Sequence, residues 1–228
     1  MIKIQGRDLE ILRLCYEQQF LLSQQIENHF FESKAPQRAR KRLLQLEKAG
    51  LINRTTLQLS TQKAVIRLSA KGLKFIEGTH PFLVPQVKKV DLRTFHHDAH
   101  VTEVRLRLLQ FWEGIWIPER ALKSEDFPQI PDGVIELASG KRVAVEVENS
   151  VKGIKRFHRN LERWLKVEVN LILFVPTSPG LEALVQNYLS TFRSSIPAGC
   201  VTVSQLKEPS PIIWTREGNL SLLSRRSW

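Results

Sequence analysis

The sequence predicts an α/β protein, α+β overall: a small helical unit closed by a hairpin, then a mixed sheet flanked by helices. Over residues 1–78, three segments with helical spacing precede two short strands and a further helix. From residue 96 the order becomes α-β-β-β-α-β-α-β, which implies a sheet with helices on both faces. Between them THPFLVPQVKKVDLRTF holds two prolines and no clean periodicity, as a connector does. The expected organisation is therefore 1–78, a connector at 79–95, and 96–228.

The first helix, in GRDLEILRLCYEQQF, is expected to be capped by Asp8 and to carry Leu9, Leu12 and Tyr16 on one side. In LLSQQIENHFF, Ser23 is a candidate N-cap before Ile26, His29 and Phe30. APQRARKRLLQLEKAG begins with Pro36, favoured in a first helical turn, and ends in Gly50, favoured just past a helix end. LINRTTLQLS and TQKAVIRLSA read as two strands around a polar turn, and SAKGLKFIEG as a short helix.

This order of elements is that of a winged helix-turn-helix. In the third helix Ala39, Leu43, Leu46 and Gly50 follow a core-facing spacing, and Gln37, Arg38, Lys41, Gln45 and Lys48 fall opposite. Arg40 and Arg42 flank the two faces. Such side chains reach base edges and phosphates in a major groove. A solvated basic face would look the same in isolation. The turn signals, with Arg54 and Lys63 in the wing, favour double-stranded DNA as the partner. Dimeric regulators of this class read two half-sites, so a homodimer is compatible, although no separate dimerisation segment stands out.

Charge points the same way. The formal net charge is +11. Residues 1–80 hold 14 Lys and Arg against 7 Asp and Glu, whereas residues 81–228 hold 20 against 16. A basic excess suits a polyanion, because releasing phosphate counterions drives binding. A membrane is disfavoured: no basic amphipathic segment stands apart from the core, and no apolar run approaches the roughly 20 residues of a span. MIKIQGRDLE lacks the apolar core of a secretion signal, and Cys15 and Cys200 are too few and too far apart for a disulfide framework or metal spacing. A cytoplasmic location is expected.

In the second part, HHDAHVTEVRLRLLQFW should be a helix with Val101, Val104, Leu108 and Trp112 along one stripe. GIWIPERAL, PDGVIEL and KRVAVEVE are strand candidates, with Ala138-Ser139-Gly140 turning between the last two. A helix follows over about 152–166, then the buried strand NLILFVP, the helix LEALVQNYLSTF and the strand GCVTVSQL.

Alternation in KRVAVEVE sends Val143, Val145 and Val147 one way and Ala144, Glu146 and Glu148 the other. An antiparallel pairing would set Asp132, at the start of the preceding strand, beside the end of this one. Three converging carboxylates repel one another unless a cation neutralises them, which a Mg²⁺ site does. A half-exposed strand with solvent-facing glutamates is the alternative.

Pro131-Asp132, thirteen intervening residues and Glu146-Val147-Glu148, in an α-β-β-β-α-β setting, resemble the PD-(D/E)xK nuclease superfamily over roughly 96–206. The resemblance implies a restriction-endonuclease-like fold, with Asp132, Glu146 and the Val147 carbonyl holding Mg²⁺ or Mn²⁺. The third motif position is normally Lys and here is Glu148, which could orient or deprotonate water. Lys152 or Lys155 could restore the missing positive charge. The whole chain also resembles the replication-relaxation family of plasmid and mobile-element proteins. Arg7-Asp8, Ile11-Leu12, Arg42-Leu43, Leu46, Gly50, Leu68-Ser69, Lys71-Gly72, His100, Pro131-Asp132 and Glu146-Val147-Glu148 carry that likeness. It implies a DNA-binding protein whose nuclease-like domain cleaves phosphodiesters with a metal, or a winged-helix regulator whose second domain serves dimerisation or effector binding.

Two further patterns follow. Ile154, Phe157, Leu161 and Trp164 make an apolar stripe, while Lys152, Arg156, Arg159, Arg163 and Lys166 recur as a basic one fit for a DNA backbone. His96, His97, Asp98 and His100 do not match a zinc spacing, and a polar helix N-terminus with Asp98 favoured by the dipole accounts for them. Glu103 falls opposite the apolar stripe of its helix and is not assigned to the site.

Overall fold

A computed structural model of the chain describes residues 2–31, 36–56, 64–78, 80–81, 83–123, 128–150, 153–164, 166–192 and 195–223. The chain divides into two compact units, Met1–Ala99 and His100–Trp228.

The first unit runs α1 (Gly6–Gln18), β1 (Leu21–Leu22), α2 (Ser23–Phe30), α3 (Pro36–Lys48), β2 (Ile52–Thr56), β3 (Ala64–Leu68) and α4 (Ala70–Glu77). Its strands form an antiparallel sheet in the order β1-β3-β2. Sequence periodicity misses β1, whose two residues pair with Ile66 and Val65 and are too few to show an alternation. Ile11, Leu12, Ile26, Leu43, Leu46 and Ile66 are fully or almost fully buried, so the apolar stripes of the three helices and β3 supply the buried interior of this unit.

Two expected caps are placed differently. Asp8 lies one turn inside α1, and its Oδ2 accepts the Gln5 N–H at 2.8 Å. Ser23 is the first residue of α2, and the Gln25 side chain accepts the Leu22 N–H at 2.9 Å. In both, a side chain in the first turn reaches back to a backbone donor, as the acidic half of a capping box does. Ser69 does cap α4: its Oγ accepts the Gly72 N–H at 3.0 Å and donates to the Gly50 carbonyl. Lys71 Nζ donates to the Ala49 carbonyl at 2.8 Å. A Cβ on Gly72 would stand 1.9 Å from the Leu51 carbonyl oxygen, so only glycine lets α4 lie this close to the end of α3.

The stretch expected as a connector is tied to this unit. Tyr16 Oη accepts the Val84 N–H at 3.1 Å, and Gln19 accepts the Val87 N–H at 2.9 Å while donating to the Pro85 carbonyl. Arg67 donates to the Val87 and Lys88 carbonyls. The boundary between the units falls further on, inside α5 (Phe95–Phe111).

The second unit continues with β4 (Gly114–Pro118), α6 (Glu119–Leu122), β5 (Gly133–Leu137), β6 (Arg142–Glu148), α7 (Ile154–Trp164), β7 (Leu171–Pro176), α8 (Pro179–Thr191), β8 (Ala198–Cys200), β9 (Ile212–Thr215) and β10 (Leu220–Ser221). Among the described residues seven strands lie in the order β10-β9-β8-β7-β6-β5-β4. The pairs β6-β7 and β7-β8 are parallel and the others antiparallel, so this is a mixed sheet flanked by helices, as predicted. GIWIPERAL is not one strand: it turns into α6 after Pro118. β9 and β10, with four and two residues, extend the sheet beyond the predicted order.

Alternation sorts the core. Val143, Val145 and Val147 join Val101, Val104 and Leu108 of α5 in one apolar cluster. Ala144 joins Phe157, Leu161 and Trp164 of α7, with Val185 and Leu189 of α8, in another. Ile154, expected on the apolar stripe of α7, is exposed instead.

Candidate functional site

The acidic group sits where the meander β4-β5-β6 ends. Pro118 pairs with Gly133, and the Glu119 N–H continues the ladder to the Asp132 carbonyl at 3.3 Å. Gly133 pairs with Val145, so the next step along the two strands brings Asp132 opposite Glu146. Antiparallel register thus draws Glu119, Asp132 and Glu146 to one end of three adjacent strands, with Glu148 two residues on. A Cβ on Gly133 would enter the Trp116 ring at 2.1 Å, so the residue after Asp132 must be glycine for β4 and β5 to pair here.

Past Val145 the ladder has no β5 backbone left to use, and a side chain takes over. Asp132 Oδ2 accepts the Val147 N–H at 2.7 Å. In an extended strand the C=O of a residue points to the same side as its N–H. The Val147 carbonyl therefore faces Asp132, whereas the Glu148 carbonyl faces β7 and accepts the Thr177 N–H at 3.0 Å.

Glu146 is half-buried among these acids. Burial first, then the charges of Asp132 and Glu148 and more weakly Glu119, push its carboxyl well above the usual carboxylate range. A hydrogen bond from Gln129 opposes the shift only in part. Sequence reasoning missed Glu119, which also pairs with Lys123 at 2.7 Å. Its signal was cross-strand register, which a search within one strand does not reach.

The donor set fits a hard divalent cation in kind, since Asp132, Glu146, Glu148 and the Val147 carbonyl offer only oxygen. It is not a closed cage: among the described residues, no three His, Cys, Asp or Glu side chains are grouped so as to hold a metal ion. Beside the end of β6, His100 Nδ1 shares a 3.0 Å hydrogen bond with Asn149 Oδ1. Asp98 accepts from the Thr94 hydroxyl at 3.0 Å in the first turn of α5, and Glu103 is paired with Arg107 at 3.0 Å. Lys152 lies outside the described residues.

On α3, Ala39, Leu43 and Leu46 are buried and Gln37, Arg38, Arg40, Lys41, Gln45 and Lys48 are exposed. Arg40 pairs with Glu27 at 3.6 Å. Arg42 is committed inside the unit. Its Nε donates to Asp8 Oδ1 at 2.9 Å, its Nη2 to Asp8 Oδ2 and the Lys3 carbonyl, and its Nη1 to Gln45 Oε1 at 2.9 Å. Arg54 pairs with Glu47 at 2.8 Å, and Lys63 lies outside the described residues. In the second unit, Arg156 and Arg159 of α7 are exposed.

Fold and site together define an α/β protein with a mixed sheet whose meander ends in a row of acids, preceded by a helical unit with a basic helix face. The model of the replication-relaxation family matches residues 12–167, from within α1 to just past α7, and the chain belongs to that family. Membership ties it to the replication of plasmids and mobile elements. Searches of curated proteins and of solved structures gave no match. Among the described residues no helix is long and apolar enough to cross a membrane.

Proposed function

We propose that the protein binds double-stranded DNA through its first unit, a winged helix-turn-helix in which α3 is the reading helix. The observation that carries this is the division of labour on α3. One side is buried, Arg42 locks the helix to α1 through Asp8, and Gln37, Arg38, Lys41 and Lys48 project outward from an immobilised backbone. A backbone ordered before binding has less entropy left to lose. Gln45 is exposed but accepts from Arg42, and Arg54 is held by Glu47, so each would reach DNA only by sharing or giving up a partner it already has. Affinity for duplex DNA, measured against salt for the protein and for Arg38→Ala/Lys41→Ala, tests the reading. An unchanged affinity and salt slope in the variant would sink it.

The second unit, on this proposal, is a PD-(D/E)xK nuclease-like domain. Asp132, Glu146 and the Val147 carbonyl would hold Mg²⁺ or Mn²⁺, which when bound supplies Lewis acidity toward a phosphate oxygen and a more acidic water. Glu148, in place of a lysine, would orient a water or take its proton. Metal-dependent nicking of plasmid DNA, lost in Asp132→Ala, is the expected result. The second reading, a regulator whose nuclease-like domain does no chemistry, is favoured by the absence of a closed cage among the described residues. A defined site bound and left intact in Mg²⁺ and in Mn²⁺ would establish that reading instead.

A further inference from the structure

We infer that α7 is a second, sequence-independent phosphate-binding surface, along which the second unit holds the sugar–phosphate backbone of DNA. Residues 154–166 carry five basic residues, Lys155, Arg156, Arg159, Arg163 and Lys166, against the single acid Glu162. The whole stretch 100–228 holds 17 Lys and Arg against 14 Asp and Glu. Outside this one segment the second unit therefore has 12 basic and 13 acidic residues, and its entire positive excess is concentrated on α7 and the two residues that follow it.

A solvated basic face is usually laced with pairs three or four residues apart. Here Glu162 stands three residues after Arg159 and four before Lys166, yet among the described residues none of the five cations makes an ion pair. All five side chains are exposed. On α7, Arg156, Arg159 and Arg163 follow three-four spacing, a stripe about 10 Å long at 1.5 Å per residue, and Lys166 follows two residues past the end of the helix. The opposite side of the helix is committed: Phe157, Leu161 and Trp164 are buried against the sheet. That leaves only Ile154 as an exposed apolar residue on α7, too little to enter a bilayer, whereas guanidinium groups match phosphate oxygens in charge and geometry.

Position makes the surface useful. α7 packs on the face of the sheet that carries Ala144, the face to which alternation assigns Glu146 and Glu148. A backbone lying along α7 runs on the acidic side of the sheet. The inference deepens the DNA-binding reading of the first unit and rests on it only for the class of partner.

The test uses the full chain and a short duplex of arbitrary sequence, with affinity followed against salt by fluorescence anisotropy. Arg156→Gln/Arg159→Gln should weaken binding about tenfold or more near 0.1 M salt and reduce the log–log salt slope by about 2, since each lost phosphate contact removes about 0.9. Arg156→Lys/Arg159→Lys should keep the slope. Melting temperatures equal to that of the parent chain confirm that the exposed substitutions leave the fold intact. An unchanged slope in the glutamine variant overturns the inference, as does a loss confined to phosphatidylserine vesicles. If the α7 variant weakens binding while Arg38→Ala/Lys41→Ala has no effect, the α7 surface stands and the reading of the first unit fails.

Discussion

Asp132 and Val147 are joined between the ends of two strands, the carboxylate Oδ2 of one accepting the backbone N–H of the other at 2.7 Å. The aspartate thus extends the ladder by one bond while placing a negative charge beside Glu146. These two duties separate by substitution. Asp132→Asn keeps an oxygen acceptor for Val147 and removes the charge, so it should melt close to the parent chain. Asp132→Ala leaves the donor unpaired and should cost about 1–3 kcal/mol in urea unfolding. Both variants should lose any rise in melting temperature produced by Mg²⁺ or Mn²⁺.

Arg42 is exposed to a different test. Its fork onto the buried Asp8 joins α3 to α1, and removing one partner of such a pair leaves an uncompensated charge. Arg42→Ala is expected to destabilise the first unit by about 3 kcal/mol, measured by chemical unfolding. Arg38→Ala and Lys41→Ala should leave stability unchanged and lower DNA affinity.

The same pair sets an acid limit. Burial acts to raise the Asp8 carboxyl, but hydrogen bonds from Arg42 and Gln5 and the charges of Arg42 and Arg7 outweigh it and hold the group below the usual carboxylate range. A depressed folded value means stabilisation that is fully present above the unfolded pKa, near 4, and lost as pH falls through the folded value. Unfolding free energy measured from pH 6 downward should fall over that window. In Asp8→Asn the contribution should be missing at pH 6 and the decline correspondingly shallower.

Two glycines should refuse alanine. At Gly72 the new methyl would meet the Leu51 carbonyl oxygen at 1.9 Å, and at Gly133 the Trp116 ring at 2.1 Å. Overpacking of this kind costs about 1–3 kcal/mol or more. Gly72→Ala should lower the melting temperature more, because its obstacle is backbone and cannot rotate away. Thermal unfolding of the two variants side by side checks the order.

The parts of the fold that follow a local period were legible in the residues alone. Val143, Val145 and Val147 bury on one face of β6 as alternation requires, and Ala39, Leu43 and Leu46 bury on α3 as the helical wheel requires. What escaped depends on partners distant in the chain. Leu21 and Leu22 are a strand only because Val65 and Ile66 pair with them. Glu119, the first residue of α6, reaches the acidic group through the register of two successive pairings, and no local motif marks it. Arg42 sits at the flank of its helix in any wheel, but that Asp8, 34 residues away, claims its guanidinium is a tertiary fact.

None of Glu119, Asp132, Glu146 and Glu148 belongs to either apolar cluster of the second unit. Core packing and the acidic charge are consequently carried by different residues at this end of the sheet. The valines of β6 preserve the lineage, because losing them empties the core. The acids at its end are free to drift once selection for their charge ends. A chain of this family that exchanged two of those four acids would lose the proposed metal chemistry and keep the architecture, so kinship within the family is a guide to shape, and the row of acids has to be inspected chain by chain.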